Sequence, residues 1–147
     1  VNSFMQTSDE AIYAIGDCAL HANGYAHDEE IRLESVQNAN DQARAVARTL
    51  TGTETGYDAV PWFWSNQYEL HLQTVGLSLG HDKTVMRGDP SSGSFSLVYL
   101  REGVVIALDC VNATPDYAAG RKLVMKRVKP DLDQLADPAV PIKALLA

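Results

Sequence analysis

Cysteine is scarce in this sequence: Cys18 and Cys110 are the two present, with no CxxC spacing. Both sit in apolar runs and read as buried thiols in a reducing, cytoplasmic setting. His21, His27, His71 and His81 form no HxxxH or HxH pair, so the histidines give no ligand spacing for a metal. Long hydrophobic runs are missing too. None approaches the roughly 20 residues needed to cross a bilayer, and the polar start VNSFMQTSDE lacks the basic opening of a signal peptide. Positive charge is in short supply, with a net charge of -7, which argues against general nucleic-acid binding.

What is present is the balance of a folded domain. Hydrophobic residues make up 46% and charged residues 21% of 147 residues, enough for one domain or one domain plus a further segment. The charge is unevenly spread. Residues 121 to 129 (RKLVMKRVK) hold five of the twelve basic residues and no acid, a pattern of a local docking face more than of a global field.

Ala11-Ile12-Tyr13-Ala14-Ile15 is apolar throughout and stops at Gly16-Asp17. Such a run suits a strand buried on both faces of a parallel sheet. Only ten residues precede it, too few to supply neighbouring strands, so the sequence predicts a fragment of a larger protein. Residues 18 to 32 read as a loop. A helix follows, with Ser35 as N-cap, an apolar stripe of Val36, Ala39, Ala43, Val46, Ala47 and Leu50, and Gly52 as its stop. The Gly- and Pro-containing stretch 51 to 61 reads as a linker, which divides the chain into segments 1–52 and 53–147.

Beyond the linker the period becomes two. Trp62 to Ser65, Glu69 to Leu77 and Thr84 to Arg87 read as strands. Ser94 to Leu100 and Val104 to Val111 read as a hairpin around Arg101-Glu102-Gly103. Thr114-Pro115 reads as a cap and first helical residue of a helix running to about Val128, halted by Pro130. The expected fold class is α+β: an antiparallel sheet with helices on one face, preceded by a strand–loop–helix segment of an α/β domain.

Two local patterns could carry ligand chemistry. A strand ending in Gly16-Asp17 lets a ligand approach the backbone and offers a carboxylate to sugar hydroxyls. The helix start after Arg32-Leu33-Glu34-Ser35 offers free N–H groups to a partly negative oxygen. Taken singly, the first is also an ordinary strand-to-loop turn and the second a plain capped helix.

Together and in order, IYAIGD, RLESVQNA and PWFWSNQYELHLQTVGLS resemble the C-terminal third of ferredoxin reductases of the putidaredoxin reductase type, the flavoprotein components of bacterial oxygenase systems. The resemblance covers nearly the whole chain, and the last motif is its most specific part. It implies a ferredoxin–NAD(P)+ reductase as the parent protein, with FAD as cofactor, NAD(P)H as electron donor and a [2Fe-2S] ferredoxin as partner. It implies that Gly16 and Asp17 contact FAD near the ribityl chain and pyrophosphate. It places backbone N–H groups of Val36 and Gln37 at the flavin's pyrimidine edge, Glu34 toward the nicotinamide side, and Trp64 near the flavin and the ferredoxin. Trp62 reads as core packing. Arg121, Lys122, Lys126 and Arg127 become candidates for docking an acidic ferredoxin, or a solvated helix face whose cations suit the C-terminal dipole.

The glycine-rich fingerprints for FAD and for NAD(P)H are both missing, and Gly76 to Gly80 is not one. The isolated chain is therefore expected to be inactive, and no catalytic residue is assigned to it. The alternative is a stand-alone interaction or dimerisation module on the same C-terminal fold. Residues 11–15 and 36–50 are expected to be poorly packed, favouring a homodimer through residues 1–50 or mobility there.

Overall fold

The computed structural model describes residues 1–53 and 55–146. They form two compact units, Val1–Trp62 and Phe63–Ala147.

In the first unit, the apolar run 11–15 joins no sheet among the described residues. It makes a single antiparallel bridge, Gln6 to Tyr13, with Thr7 N–H donating to Ile12 O at 2.9 Å and Ala14 N–H to Met5 O at 3.0 Å. Ile12 and Ile15 stay exposed. A strand meant to be covered on both faces finds no sheet neighbours here, which is why an extended segment stands where a strand is expected. The stretch read as a loop carries a small ladder, β1 (His21–Ala22) against β2 (Glu30–Ile31).

Helix α1 (Val36–Leu50) begins as the sequence predicts, with Ser35 Oγ accepting from Asn38 N–H at 3.1 Å. It ends on Gly52, whose φ of 83° allows the N–H groups of Gly52 and Thr53 to reach back to Thr49 O and Arg48 O. The face it turns inward departs from expectation. Gln37, Asn38, Gln42 and Ala45 are buried, whereas Val36 and Leu50 are 60% and 67% exposed. Val36, Ala43, Ala47 and Leu50 of the apolar stripe face outward and Ala39 and Val46 are half-buried, because three amides take the inward positions.

The second unit is an antiparallel sheet in the order β3-β4-β7-β6-β5, with β3 (Trp62–Gln67) and β5 (Lys83–Asp89) at the edges. β4 (Leu70–Gly76), β6 (Ser94–Arg101) and β7 (Val104–Val111) complete it. Glu102 and Gly103, both with positive φ, close the β6–β7 hairpin, the geometry that matches strand twist in a two-residue turn. Alternation sets the core: Ser96, Val98 and Leu100 of β6 and Leu108 and Cys110 of β7 are buried together with Leu123 and Val124 of helix α2 (Thr114–Met125). α2 packs on β7 and β4, and helix α3 (Leu132–Ala136) on β5. Gly120 of α2 lies so close to the sheet that a Cβ there would press into the Leu108 side chain.

Two details of α2 differ from expectation. Ala113 is the N-cap, and the Thr114 hydroxyl instead donates to Gln73 Oε1 at 3.0 Å. The helix stops at Met125 rather than Val128 because Arg127 takes φ 50°, letting Val128 N–H bond Leu123 O at 3.0 Å. Cys110 is buried, but Cys18 is exposed, its Sγ 3.4 Å from Ile15 O. A 3-10 turn turned to solvent carries Cys18, so the apolar run around it does not bury the thiol.

Candidate functional site

The Gly16-Asp17 turn and the first turns of α1 meet within the first unit. Gly16 opens a 3-10 turn, Gly16–Cys18, at φ 72°, a conformation that suits glycine. A Cβ on Gly16 would sit 3.4 Å from Ala39 Cβ, so a glycine faces an alanine where the two backbones approach. The buried Gly16 N–H donates to Gln42 Oε1 at 2.7 Å. Asp17 beside it is exposed, and no hydrogen bond or ion pair engages its carboxylate among the described residues.

At the helix start, Ser35 satisfies Asn38 N–H with its hydroxyl and Ala39 N–H with its carbonyl. The backbone N–H groups of Val36 and Gln37 have no acceptor among the described residues. They form the positive end of a 15-residue helix. The Gln37 side chain points elsewhere: its Nε2 donates to Asp41 Oδ2 at 2.6 Å and its Oε1 accepts from Trp62 N–H at 3.2 Å. Any ligand contact from Gln37 is thus a backbone contact. Glu34 is exposed, 3.8 Å from Arg32 in a solvent-facing ion pair.

Behind this surface lies a polar interior that the sequence reading did not anticipate. Tyr57 donates its hydroxyl to Asn38 Oδ1 at 2.8 Å, Asn38 Nδ2 donates to Leu33 O at 2.9 Å, and the Tyr57 ring meets His21 edge-on at 5.5 Å. Burial pushes the Tyr57 hydroxyl up to about 12. His21 Nε2 lies 3.4 Å from Asn23 Nδ2. Asn23 Oδ1 already accepts from Tyr25 N–H, so its amide N–H faces His21 Nε2, while His21 Nδ1 lies 3.4 Å from Ala19 O and 3.5 Å from Gln42 Nε2. Among the described residues, no buried side-chain polar atom lacks a partner.

An open groove of about 450 Å³ lies farther along α1, lined in part by Asp41, Arg44, Arg48, Tyr57 and Asp58. None of the residues predicted from sequence lines it. No group of His, Cys, Asp or Glu among the described residues could hold a metal, and no described helix is long and apolar enough to cross a membrane.

Trp62 closes the first unit, and the remaining predicted residues lie in the second. Trp64 is 40% exposed on edge strand β3, and Trp62, expected in the core, is only partly buried. Lys122, Lys126 and Arg127 are exposed at the C-terminal end of α2. Arg121 is partly buried beside the Tyr117 hydroxyl.

A family model described as "Reductase C-terminal" matches residues 62–146. The chain belongs to the reductase C-terminal family. Residues 62–146 of this reductase C-terminal chain hold the five-stranded sheet and both of its helices. The chain is 57% identical over its full length to the 5,5'-dehydrodivanillate O-demethylase ferredoxin reductase subunit of a Sphingobium species, of which it covers 36%. It is 41% identical to putidaredoxin reductase of Pseudomonas putida, of which it covers 35%. Among solved structures, a ferredoxin reductase for the CYP199A2 system from Rhodopseudomonas palustris superposes with a TM-score of 0.90 at 43% identity, over 100% of this chain and 36% of that one. The covalent putidaredoxin reductase–putidaredoxin complex gives 0.92 at 40% identity, over 99% and 35%. The chain thus spans about a third of the length of these relatives.

Proposed function

We propose that this chain is the C-terminal part of a cytoplasmic, FAD-dependent ferredoxin–NAD(P)+ reductase. The observation that carries the reading is 57% identity, along its whole length, to a ferredoxin reductase subunit. FAD, when bound, supplies the step from a two-electron hydride donor to a one-electron acceptor. This chain's residues position and tune. We read segment 1–52 as belonging to the FAD-binding domain and 53–147 as the reductase C-terminal domain.

The residues present fit the cofactor. Asp17 presents an unengaged carboxylate suited to ribityl hydroxyls, beside a glycine with no side chain to block approach. The N–H groups of Val36 and Gln37 are open at a helix N-terminus, suited to a flavin carbonyl oxygen. Glu34, exposed beside them, is assigned to the nicotinamide side. Trp64 is assigned to the region between flavin and ferredoxin, where its exposed ring can pack against a partner. The cations Arg121, Lys122, Lys126 and Arg127 are assigned to an acidic [2Fe-2S] ferredoxin. On the same reading, the outward stripe of α1 and the exposed Ile12 and Ile15 favour self-association of the isolated chain through residues 1–50.

The test is made on the full-length protein. A yellow preparation that reduces a [2Fe-2S] ferredoxin with NADH or NADPH supports the reading. A colourless protein that does not bind added FAD overturns it. Reversing Lys122 and Lys126 to Glu should slow ferredoxin reduction and flatten its salt dependence, while NAD(P)H-driven reduction of a small neutral acceptor stays unchanged.

A further inference from the structure

Three features of the Gly16 turn belong to one mechanical arrangement. The N–H of Gly16 is buried, its φ is 72°, and its acceptor is a side chain 26 residues away on α1. Gln42 itself is fully buried, with Nε2 3.5 Å from the His21 ring. A glycine with positive φ has wide conformational freedom. Asp17 follows it directly, so the direction of the Asp17 carboxylate depends on where Gly16 is pinned. The 2.7 Å bond to Gln42 and the Ala39 approach pin it from α1, alongside the local bond from Ala19 N–H to Gly16 O.

We infer that Gln42 is a positioning residue for the nucleotide site: through Gly16 it fixes the turn that presents Asp17 to FAD. This rests on the reading of Asp17 as an FAD contact. Gln42 touches neither cofactor nor substrate; it acts by sparing the bound state the ordering of a glycine turn. Removing its acceptor leaves a buried Gly16 N–H unsatisfied and lets the turn relax.

The experiment is a double-mutant cycle in the full-length protein, with FAD affinity of the apoprotein read by flavin fluorescence and the thermal midpoint of the apoprotein read separately. Asp17→Ala should weaken FAD binding about tenfold or more, and Gln42→Leu on the order of tenfold. In the Asp17→Ala background, Gln42→Leu should cost less than about threefold, because a turn with no carboxylate to present gains little from being held. If Asp17→Ala leaves FAD affinity unchanged, the reading of Asp17 fails and the inference falls with it. If Asp17→Ala weakens binding but Gln42→Leu does nothing, or adds its full effect on top, the inference alone is overturned. Equal additive losses tracking a lower thermal midpoint would mark Gln42 as merely structural. Should Gln42→Leu not fold, Gln42→Asn withdraws the acceptor by one methylene while keeping the amide, and the same non-additive pattern is expected.

Discussion

Arg87 Nε donates to Asp116 Oδ2 at 3.1 Å, and that pair joins edge strand β5 to the first turn of α2. The same guanidinium donates through one terminal nitrogen to Leu135 O at 2.6 Å and Asp137 O at 2.9 Å, and through the other to Val140 O at 3.0 Å. Ser96 Oγ donates to the same Asp116 oxygen at 3.0 Å. Arg87 is 3% exposed, so one planar cation gathers a strand, a helix start and the C-terminal segment away from water.

Removing that cation strands a carboxylate and three carbonyls. Arg87→Met should destabilise the second unit by about 3–5 kcal/mol, the usual cost of breaking one side of a buried pair. Arg87→Lys should rescue little of this, because an ammonium cannot reproduce the fork that reaches Asp116 and the three carbonyls together. Urea unfolding of the chain followed by circular dichroism measures both, and a Lys variant as stable as wild type would refute the role of the fork.

Gly76 and Gly93 share a positive φ, 75° and 73°, but not a neighbourhood. A Cβ at Gly76 would overlap the Ile106 carbonyl oxygen on the adjacent strand, whereas at Gly93 nothing lies within 4 Å. Gly93→Ala should cost about 1 kcal/mol, from the backbone conformation alone. Gly76→Ala should cost at least about 3 kcal/mol, because β4 or β7 must shift to admit the methyl group. Paired thermal melts of the two variants measure the difference.

These elements show how far the sequence could be read. β6 and β7 were legible because half-buried antiparallel strands alternate, and Glu102-Gly103 marks their turn. The start of α1 was legible from Ser35, and its end from Gly52. The inward face of α1 was not, since periodicity assigns the interior to Val36 and Leu50 while the unit buries Gln37, Asn38 and Gln42. A polar interior leaves no hydrophobic signal; the clue would have been three amides at helical spacing. Arg87 is legible as a strand residue, but its bridging role is not, because its partners lie 29 to 53 residues away. The stop of α2 was missed because an arginine, not a glycine, takes the left-handed position. Of the candidate site, Gly16-Asp17 and the helix start were legible as a motif, but the Gln42 bond behind them has no local signature.

The two thiols should react at very different rates. Cys18 is exposed, while burial pushes the Cys110 thiol up to about 11. At pH 8 roughly one Cys110 in a thousand is thiolate, the form that attacks a disulfide reagent. Native chain should therefore release one equivalent of thionitrobenzoate quickly and the second only on denaturation. Cys18→Ser should abolish the fast release and leave the one that needs denaturation. Rapid release of two equivalents from folded protein would contradict the burial of Cys110.

Alkali should unfold the chain by discharging groups that the fold keeps protonated. Burial is the main cause in each case: Tyr57 and Tyr99 are pushed up to about 12 from 10.0, and Cys110 to about 11 from 9.0. Tyr99 also donates its hydroxyl to Asp109 Oδ2 at 2.7 Å, and the adjacent carboxylate opposes a second negative charge. Above the unfolded value the unfolded chain has released protons that the native chain still holds, so stability falls as pH rises. The contribution of Cys110 is fully present below pH 9 and lost as pH approaches 11; those of the tyrosines are present below 10 and lost toward 12. Urea midpoints measured from pH 8.5 to 11.5 should be flat at first and then decline. Tyr99→Phe removes one titrating group and should lower stability at pH 8 by about 1 kcal/mol, the net worth of one hydrogen bond, while making the decline above pH 10 shallower. A Tyr99→Phe curve parallel to wild type across that range would show that Tyr99 titrates alike in the folded and unfolded chains.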